Sequence, residues 1–484
     1  MFCIGLDYNG VFNLEEALSF NRYLSGNVRS VRLGITVLRM IAEYKINGIN
    51  GDSHQKSADM LLHTVQLNKG TYVKIGQHVS AMQFLLPDEY VSTLSVLQSS
   101  APESPLEDVY SVIREDFGKE PNEIFDNFSE KIEGCASLAQ VHSAYLKESG
   151  KKVAVKVQHK RVLETAHRDV YMMELGVDIA SIIFPEFKLK WLVKVTKDNL
   201  FKELDFRVED KNTKKAQQLY NYPWLIIPDC YSEYTSKRVI VMDFVEGCHV
   251  GDIVEKIPGI DPNKIIQRLQ TLYSDMIFKE GFVHCDPHPG NVLVQNNKDN
   301  TIVLIDHGLY QIFSEELRNN YANLWYNIIQ GNSKNIEKYA KTFNVKNFMV
   351  FTAMLTTKNY QKVTGDKVLS TKQKKMTAEE ELKELQGNVT GYIYDITEVL
   401  EECSPELILI FKTNDLMRNL EWKFECRADC DTYLRMSVEC LKALRKYNLS
   451  TIKNGLFDAV EALKNLIRQE FTLFLLFCYK LSLK

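Results

Sequence analysis

An α+β fold of two lobes, preceded by a helical extension and followed by a helical region, is what this 484-residue sequence predicts. Three observations predict it. Helical periodicity fills residues 1–120 and returns beyond Gly308, whereas the character turns to β after Pro121. The stretch Gly281-Phe-Val-His-Cys-Asp-Pro-His-Pro-Gly-Asn291 sets His284, Asp286 and Asn291 at His-x-Asp and Asp-x-x-x-x-Asn spacing. Fifteen residues later, the apolar run Ile302-Val-Leu-Ile305 delivers Asp306-His307-Gly308 into a turn. Phosphoryl transfer needs one carboxylate to orient the attacking group, beside an amide oxygen and a second carboxylate for Mg²⁺. Either motif alone fits a polar loop between core strands equally well. The two in register favour a protein-kinase-like bilobal fold.

Composition narrows the function. Of the residues, 45% are hydrophobic and 25% charged, and the net charge is −4. No basic field points to nucleic acid. The ten cysteines form no Cys-x-x-Cys framework, which suits free thiols in a reducing compartment. Cys430 and Cys440 read as buried core residues. No run approaches the roughly 20 apolar residues of a membrane span. The longest candidate, Phe471-Thr-Leu-Phe-Leu-Leu-Phe-Cys-Tyr479, either docks on the protein or lies at a membrane surface, and docking is the plainer expectation. Asp7, Glu15 and Glu16 come too early for a transit peptide. Ala17–Ala42 has no acid and carries Arg22, Arg29, Arg32 and Arg39, so it fits a basic amphipathic helix and an ordinary surface helix equally.

Taken in order, residues 1–120 form the helical extension. Helices are expected over Val28–Ile46 and Ser57–Phe84, with a turn at 47–53 capped by Ser53 or Asp52. The second helix carries Lys74-Ile-Gly-Gln77. Pro102 and Pro105 mark a linker or exposed loop. Residues 121–247 form the small lobe. There a hairpin leads to Val153-Ala-Val-Lys156-Val, whose Lys156 suits the α/β-phosphate lysine or, more plainly, a solvated edge lysine. A helix over 199–212 offers Glu203, Asp205 and Glu209 as its carboxylate partner, with Glu203 and Glu209 on roughly one side. Val239–Gly247 suits an adenine-binding hinge strand, or a plain core strand. Residues 248–345 form the large-lobe core, and Ser314 caps its next helix. Residues 346–484 are helical, with helices at Glu406–Glu425 and Thr432–Lys446 and a charged loop at 361–386.

The chain departs from an ordinary protein kinase. Gly134 is followed by Cys135 and Ala136 where a Gly-x-Gly-x-x-Gly loop is expected, which stiffens the loop. No Ala-Pro-Glu follows Asp306-His-Gly308, so nothing seats a peptide. Lys74-x-Gly-Gln77, Cys-Ala-Ser-Leu-Ala-Gln-Val-His142, Val-Ala-Val-Lys156, Glu203-Leu-Asp205-Phe-x-x-Glu209, His284-x-Asp286-x-His-Pro-Gly-Asn291 and Asp306-His-Gly together resemble the UbiB family, the aarF-domain-containing atypical kinases. Asp-His-Gly-Leu-Tyr-Gln and Lys412-Thr-Asn-Asp-Leu-Met-Arg418 are similar to its mitochondrial subgroup usually numbered one.

The resemblance implies ATP and Mg²⁺ as cofactors. Asp286 would be the catalytic aspartate, Glu209 the partner of Lys156, and Asn291 and Asp306 the metal ligands. Ile132, Gly134, Cys135, Ala136, Ser137, Gln140 and Lys156, with Asp243 and Val245 of the hinge, would line the nucleotide. Lys74, Gln77, Glu203 and Asp205 would be regulatory, the Lys-x-Gly-Gln helix packing over the site where a peptide would bind. An atypical kinase or ATPase of mitochondrial lipid or coenzyme Q homeostasis and mitochondrial organisation is expected, with nucleotide and a lipid or membrane surface as partners. A nucleotide-gated scaffold and a Ser/Thr protein kinase are the alternatives.

Overall fold

A computed structural model describes residues 22–484 apart from 81–86, 99–102, 185–189, 357–395, 397, 428–429, 452–455 and 483–484. The expected loop at 361–386 and the first acidic positions lie outside the described residues. The chain divides into two compact units, one ending at Leu204 and one beginning at Asp205.

The first unit opens with α1 (Arg22–Asn47), α2 (Gly51–Asn68), α3 (Thr71–Ser80), α4 (Asp88–Ser95) and α5 (Leu106–Phe117). Strands β1 (Phe125–Asp126), β2 (Ile132–Cys135), β3 (Ala139–Leu146) and β4 (Lys152–Gln158) follow, then α6 (Val162–Ile183) and α7 (Lys190–Glu203). Leu33, Val65, Tyr72, Val73, Leu94 and Leu97 form the core of the helical part. Strands β1, β2 and β4 all pair antiparallel with β3.

Two expectations are corrected here, and a third, left open between two readings, gains a contact. The helix expected over Ser57–Phe84 is two helices, because Lys69 and Gly70 take positive φ of 55° and 52° and Asn68 donates its side-chain amide to Arg29 O. The turn before α2 is capped by Asn50, which accepts from Ser53 N at 3.0 Å, rather than by Ser53 or Asp52. In the basic stretch, Arg29 is turned inward: it pairs with Asp169 at 2.6 Å and lies over the Tyr72 ring. Its charge holds α1 to α6 instead of facing solvent.

The second unit contains α8 (Phe206–Leu219), β5 (Leu225–Ile226), β6 (Val239–Asp243), β7 (Cys248–His249) and α9 (Pro262–Ser274). A π-helical turn, Asp275–Glu280, then enters β8 (Phe282–His284). Next come β9 (Val292–Val294), β10 (Ile302–Leu304), β11 (Tyr310–Ile312), α10 (Glu315–Ile329), α11 (Ser333–Lys341) and α12 (Phe348–Thr356). The described chain ends in α13 (Pro405–Lys423), α14 (Thr432–Thr451) and α15 (Leu456–Ser482). A four-stranded sheet has the order β5-β10-β9-β7, and β8 pairs with β11. Ser314 caps α10 as expected, accepting from Leu317 N at 3.1 Å.

The helix expected over 199–212 is also two. Asp205 is extended (φ −126°, ψ 98°) and caps α8 through Arg207 N, so α7 ends at Glu203. The nine described cysteines are free, with Cys430 and Cys440 buried.

Candidate active site

In the first unit the β2–β3 turn is braced from below. Ala136 N donates to Ala139 O at 2.8 Å, and His159 N donates to Leu138 O at 2.9 Å. The His159 imidazole reaches Ala136 O at 3.0 Å through Nε2 and Ser104 Oγ at 2.8 Å through Nδ1. Since a carbonyl only accepts, Nε2 carries the proton and Ser104 donates to Nδ1. Burial lowers the His159 pKa and keeps the ring neutral. Gln140 is 1% exposed and bonds Ser104 through both N and O and His142 through Nε2, so its side chain braces the turn from inside.

Ser137 is buried too, while Gly134 and Ala136 are exposed and Ile132 and Cys135 half-buried. Burial, with Glu103 nearby, pushes the Cys135 thiol up to about 11. A thiol with so little thiolate at neutral pH is no nucleophile. Lys156 is half-buried on β4, where it alternates with the buried Val153, Val155 and Val157. The bracing residues Ser104, His142 and His159 were not legible as such. Ser104 lay in a stretch that reads as a linker, and His159 follows its strand without any spacing signal.

Lys74 is 8% exposed on α3 and forms an ion pair with Glu203 Oε2 at 2.8 Å. Gln77 donates to Leu97 O at 2.8 Å. A Cβ on Gly76 would lie 2.4 Å from Leu97 Cδ1, so any other residue there requires the Leu97 side chain to shift.

In the second unit the loop after β8 and the turn after β10 are locked together. Asn291 Nδ2 donates to Asp286 O at 3.0 Å, and His288 N donates to the same oxygen at 2.8 Å. Ile305 N donates to Asn291 O at 3.1 Å and Cys285 N to Leu309 O at 2.9 Å. The fully buried His284 donates from Nε2 to Asp306 O at 2.9 Å, and Gly308 N donates to Asp306 Oδ1 at 3.0 Å. Asp286, Asn291 and Asp306 stay half-buried at the end of this scaffold.

The α8 helix is tied to the same turn. The buried Glu209 accepts from His307 N at 3.5 Å, and Asn212 donates to His307 O at 3.0 Å. His307 is itself buried, with Nε2 on Leu304 O and Nδ1 on Tyr310 OH, each at 3.0 Å. Asp205 is chelated by Arg207, whose hydrogen bonds hold its carboxyl below the usual range. Asp243 accepts from Tyr231 OH at 2.5 Å at the end of β6, and Val245 follows half-buried.

The donor set suits a hard divalent cation. The Asn291 amide nitrogen is committed to Asp286 O, which fixes the orientation of its amide oxygen. With the Asp306 carboxylate, that makes one neutral and one anionic oxygen donor of the kind Mg²⁺ takes beside phosphate oxygens. Asn291 and Asp306 would hold the metal.

An α+β fold with this loop and turn defines a protein of the kinase-like class. The family described as "ABC1 atypical kinase-like domain" matches residues 96–340. A Gallus gallus protein named AarF domain-containing protein kinase 1 is 42% identical over 404 residues, 82% of this chain and 76% of its own length. The Drosophila melanogaster AarF domain-containing kinase 1 is 40% identical over 438 residues, covering 89% and 83%. The chain therefore belongs to the ABC1/AarF family of atypical kinases. Among solved structures, Rv3197 of Mycobacterium tuberculosis with erythromycin matches at a TM-score of 0.44 and 21% identity, over 73% of this chain and 94% of its own.

Proposed function

We propose that this chain is an atypical kinase or ATPase that binds Mg-ATP and serves mitochondrial lipid or coenzyme Q homeostasis and mitochondrial organisation. It acts on a small or lipid acceptor, or on water, rather than on peptides. The interlock of the Asp286–Asn291 loop with the Asp306 turn carries the reading, because positioning and charge stabilisation supply most of the catalysis of phosphoryl transfer. Asp286 orients the acceptor hydroxyl and receives its proton as the acceptor oxygen bonds the γ-phosphorus and the bond to the ADP oxygen breaks. The family resemblance assigns Lys156 to the α/β-phosphates and Glu209 as its carboxylate partner. Asn291 and Asp306 would hold Mg²⁺, which would neutralise the phosphate charge. Ile132, Gly134–Ser137, Asp243 and Val245 line the nucleotide. The mitochondrial setting and the lipid-surface partner follow the family resemblance.

MgATP raises the melting temperature of the wild type, since a ligand that binds only the folded state stabilises it by about 2.7 kcal/mol at a hundredfold excess over Kd. Asp306→Asn loses most of that rise. Asp286→Asn keeps it and loses phosphate release. An equal rise in Asp306→Asn counts against the metal role. A nucleotide-gated scaffold is the second reading, favoured by the braced Ala136–Leu138 turn. Phosphate release at the same low level in wild type and Asp286→Asn would select it.

A further inference from the structure

We propose that α15 lies in the plane of an anionic phospholipid bilayer, with its phenylalanine-rich face in the lipid. The helix buries Ala462 and Leu476 on its inward face and leaves a second apolar stripe outward. Its inward face holds Gln469 and Thr472, 4% and 3% exposed, which bond Asn448 and Gln330. Its outward face holds Val460, Leu463, Ile467, Phe471, Phe474 and Phe477, each between 51% and 63% exposed. Exposing three phenyl rings in one contiguous stripe opposes the hydrophobic effect unless another apolar phase covers them.

The occupant is chosen by shape and charge. The stripe runs about 26 Å along the axis and spans about 120° of arc. A two-helix seam would be narrower than this face. Lys464 and Arg468 stand exposed on one flank, and Glu470, whose position falls within the arc of the stripe, is paired with Arg445 at 3.0 Å. Among the described residues the rim is thus cationic around an apolar face, the pattern of an interfacial helix on anionic lipid. No described helix is long and apolar enough to cross a membrane, which leaves lying on the surface as the mode of contact. The inference deepens the lipid-surface reading above and is separable from the phosphoryl chemistry.

The test is co-sedimentation of the full chain with vesicles of phosphatidylcholine alone and of equimolar phosphatidylcholine and phosphatidylserine. Wild type and Asp286→Asn partition alike onto the mixed vesicles. The combined Phe471→Ser, Phe474→Ser and Phe477→Ser variant partitions more than about tenfold more weakly, with an unchanged melting temperature. Lys464→Glu with Arg468→Glu loses the preference for the anionic vesicles. In an otherwise intact chain, Phe474→Trp adds fluorescence that brominated lipid quenches. Wild type that stays in the supernatant, a triple variant that binds fully, an unquenched Phe474→Trp, or a wild-type dimer that the triple variant turns into a monomer overturns the proposal. Vesicle binding without any MgATP effect would sink the kinase reading and leave this one standing; the reverse result would do the opposite.

Discussion

Lys74 keeps its ammonium at 8% exposure with the Glu203 carboxylate 2.8 Å away. Removing one partner of such a buried pair leaves the other charge uncompensated, which costs about 3–5 kcal/mol, whereas replacing both by apolar residues is often neutral. Lys74→Ala therefore lowers stability by about 3 kcal/mol, and Lys74→Met with Glu203→Leu recovers most of the loss, read from urea midpoints. A change under about 0.5 kcal/mol would return Lys74 to the class of solvated helix residues. Lys74 and Glu203 were both singled out in the sequence as regulatory candidates. The inward turn of Gln140 was not legible, because alternation along a strand says which face a residue takes and nothing of the loop that meets it. At Ala136, substitution by Gly permits closer backbone approach to phosphate. The ADP and ATP dissociation constants of Ala136→Gly should differ from wild type; unchanged values would mean that the His159 and Ser104 brace, not the alanine, sets the turn.

Among the elements, α9, α13 and α14 meet at a half-buried carboxyl. Glu421 of α13 accepts from Gln270 of α9 at 2.7 Å and from the Thr432 hydroxyl of α14. Burial, with Asp431 nearby, pushes it up to about 8 from an ordinary 4.5. The folded state thus holds a proton that the unfolded chain releases above about pH 4.5, so stability is full below that pH. It falls by about 1.4 kcal/mol per unit as pH rises toward 8. Glu421→Gln keeps the amide-like geometry without the charge. Its advantage over wild type in urea midpoint should grow from pH 5 to pH 9, and a constant difference would contradict the raised pKa. The long C-terminal helices were readable from periodicity. The breaks at Lys69–Gly70 and Asp205 were not, because an apolar stripe continues across residues that take a positive φ, as Lys69 and Gly70 do, or cap the next helix, as Asp205 does.

For the whole molecule, the kinase-like fold was legible because two short motifs keep fixed spacing within one chain. The bonds that join those motifs, such as Glu209 and Asn212 to the His307 backbone, were not, since they link residues nearly a hundred positions apart through groups every residue possesses. The missing peptide-seating segment sets an expectation for the intact protein. Generic peptides should remain unphosphorylated by a preparation that releases phosphate from MgATP. Strong peptide phosphorylation would refute a closed site. Comparing the lipids and metabolites of cells carrying wild type with those carrying Asp306→Asn would identify the acceptor class.

His307 occupies the middle of the Asp306 turn, and both its ring nitrogens are engaged. Nε2 must donate to Leu304 O, so Nδ1 accepts the Tyr310 hydroxyl. A phenylalanine at that position could swing out at the expense of packing alone. Here the swing would also strand a buried carbonyl and a buried hydroxyl, at about 1–3 kcal/mol each. The consequence is one of inheritance. Positions 307 and 310 form a single mutable unit: a lineage that loses the imidazole should lose the phenol hydroxyl with it, and descendants altered at only one of the two should be rare.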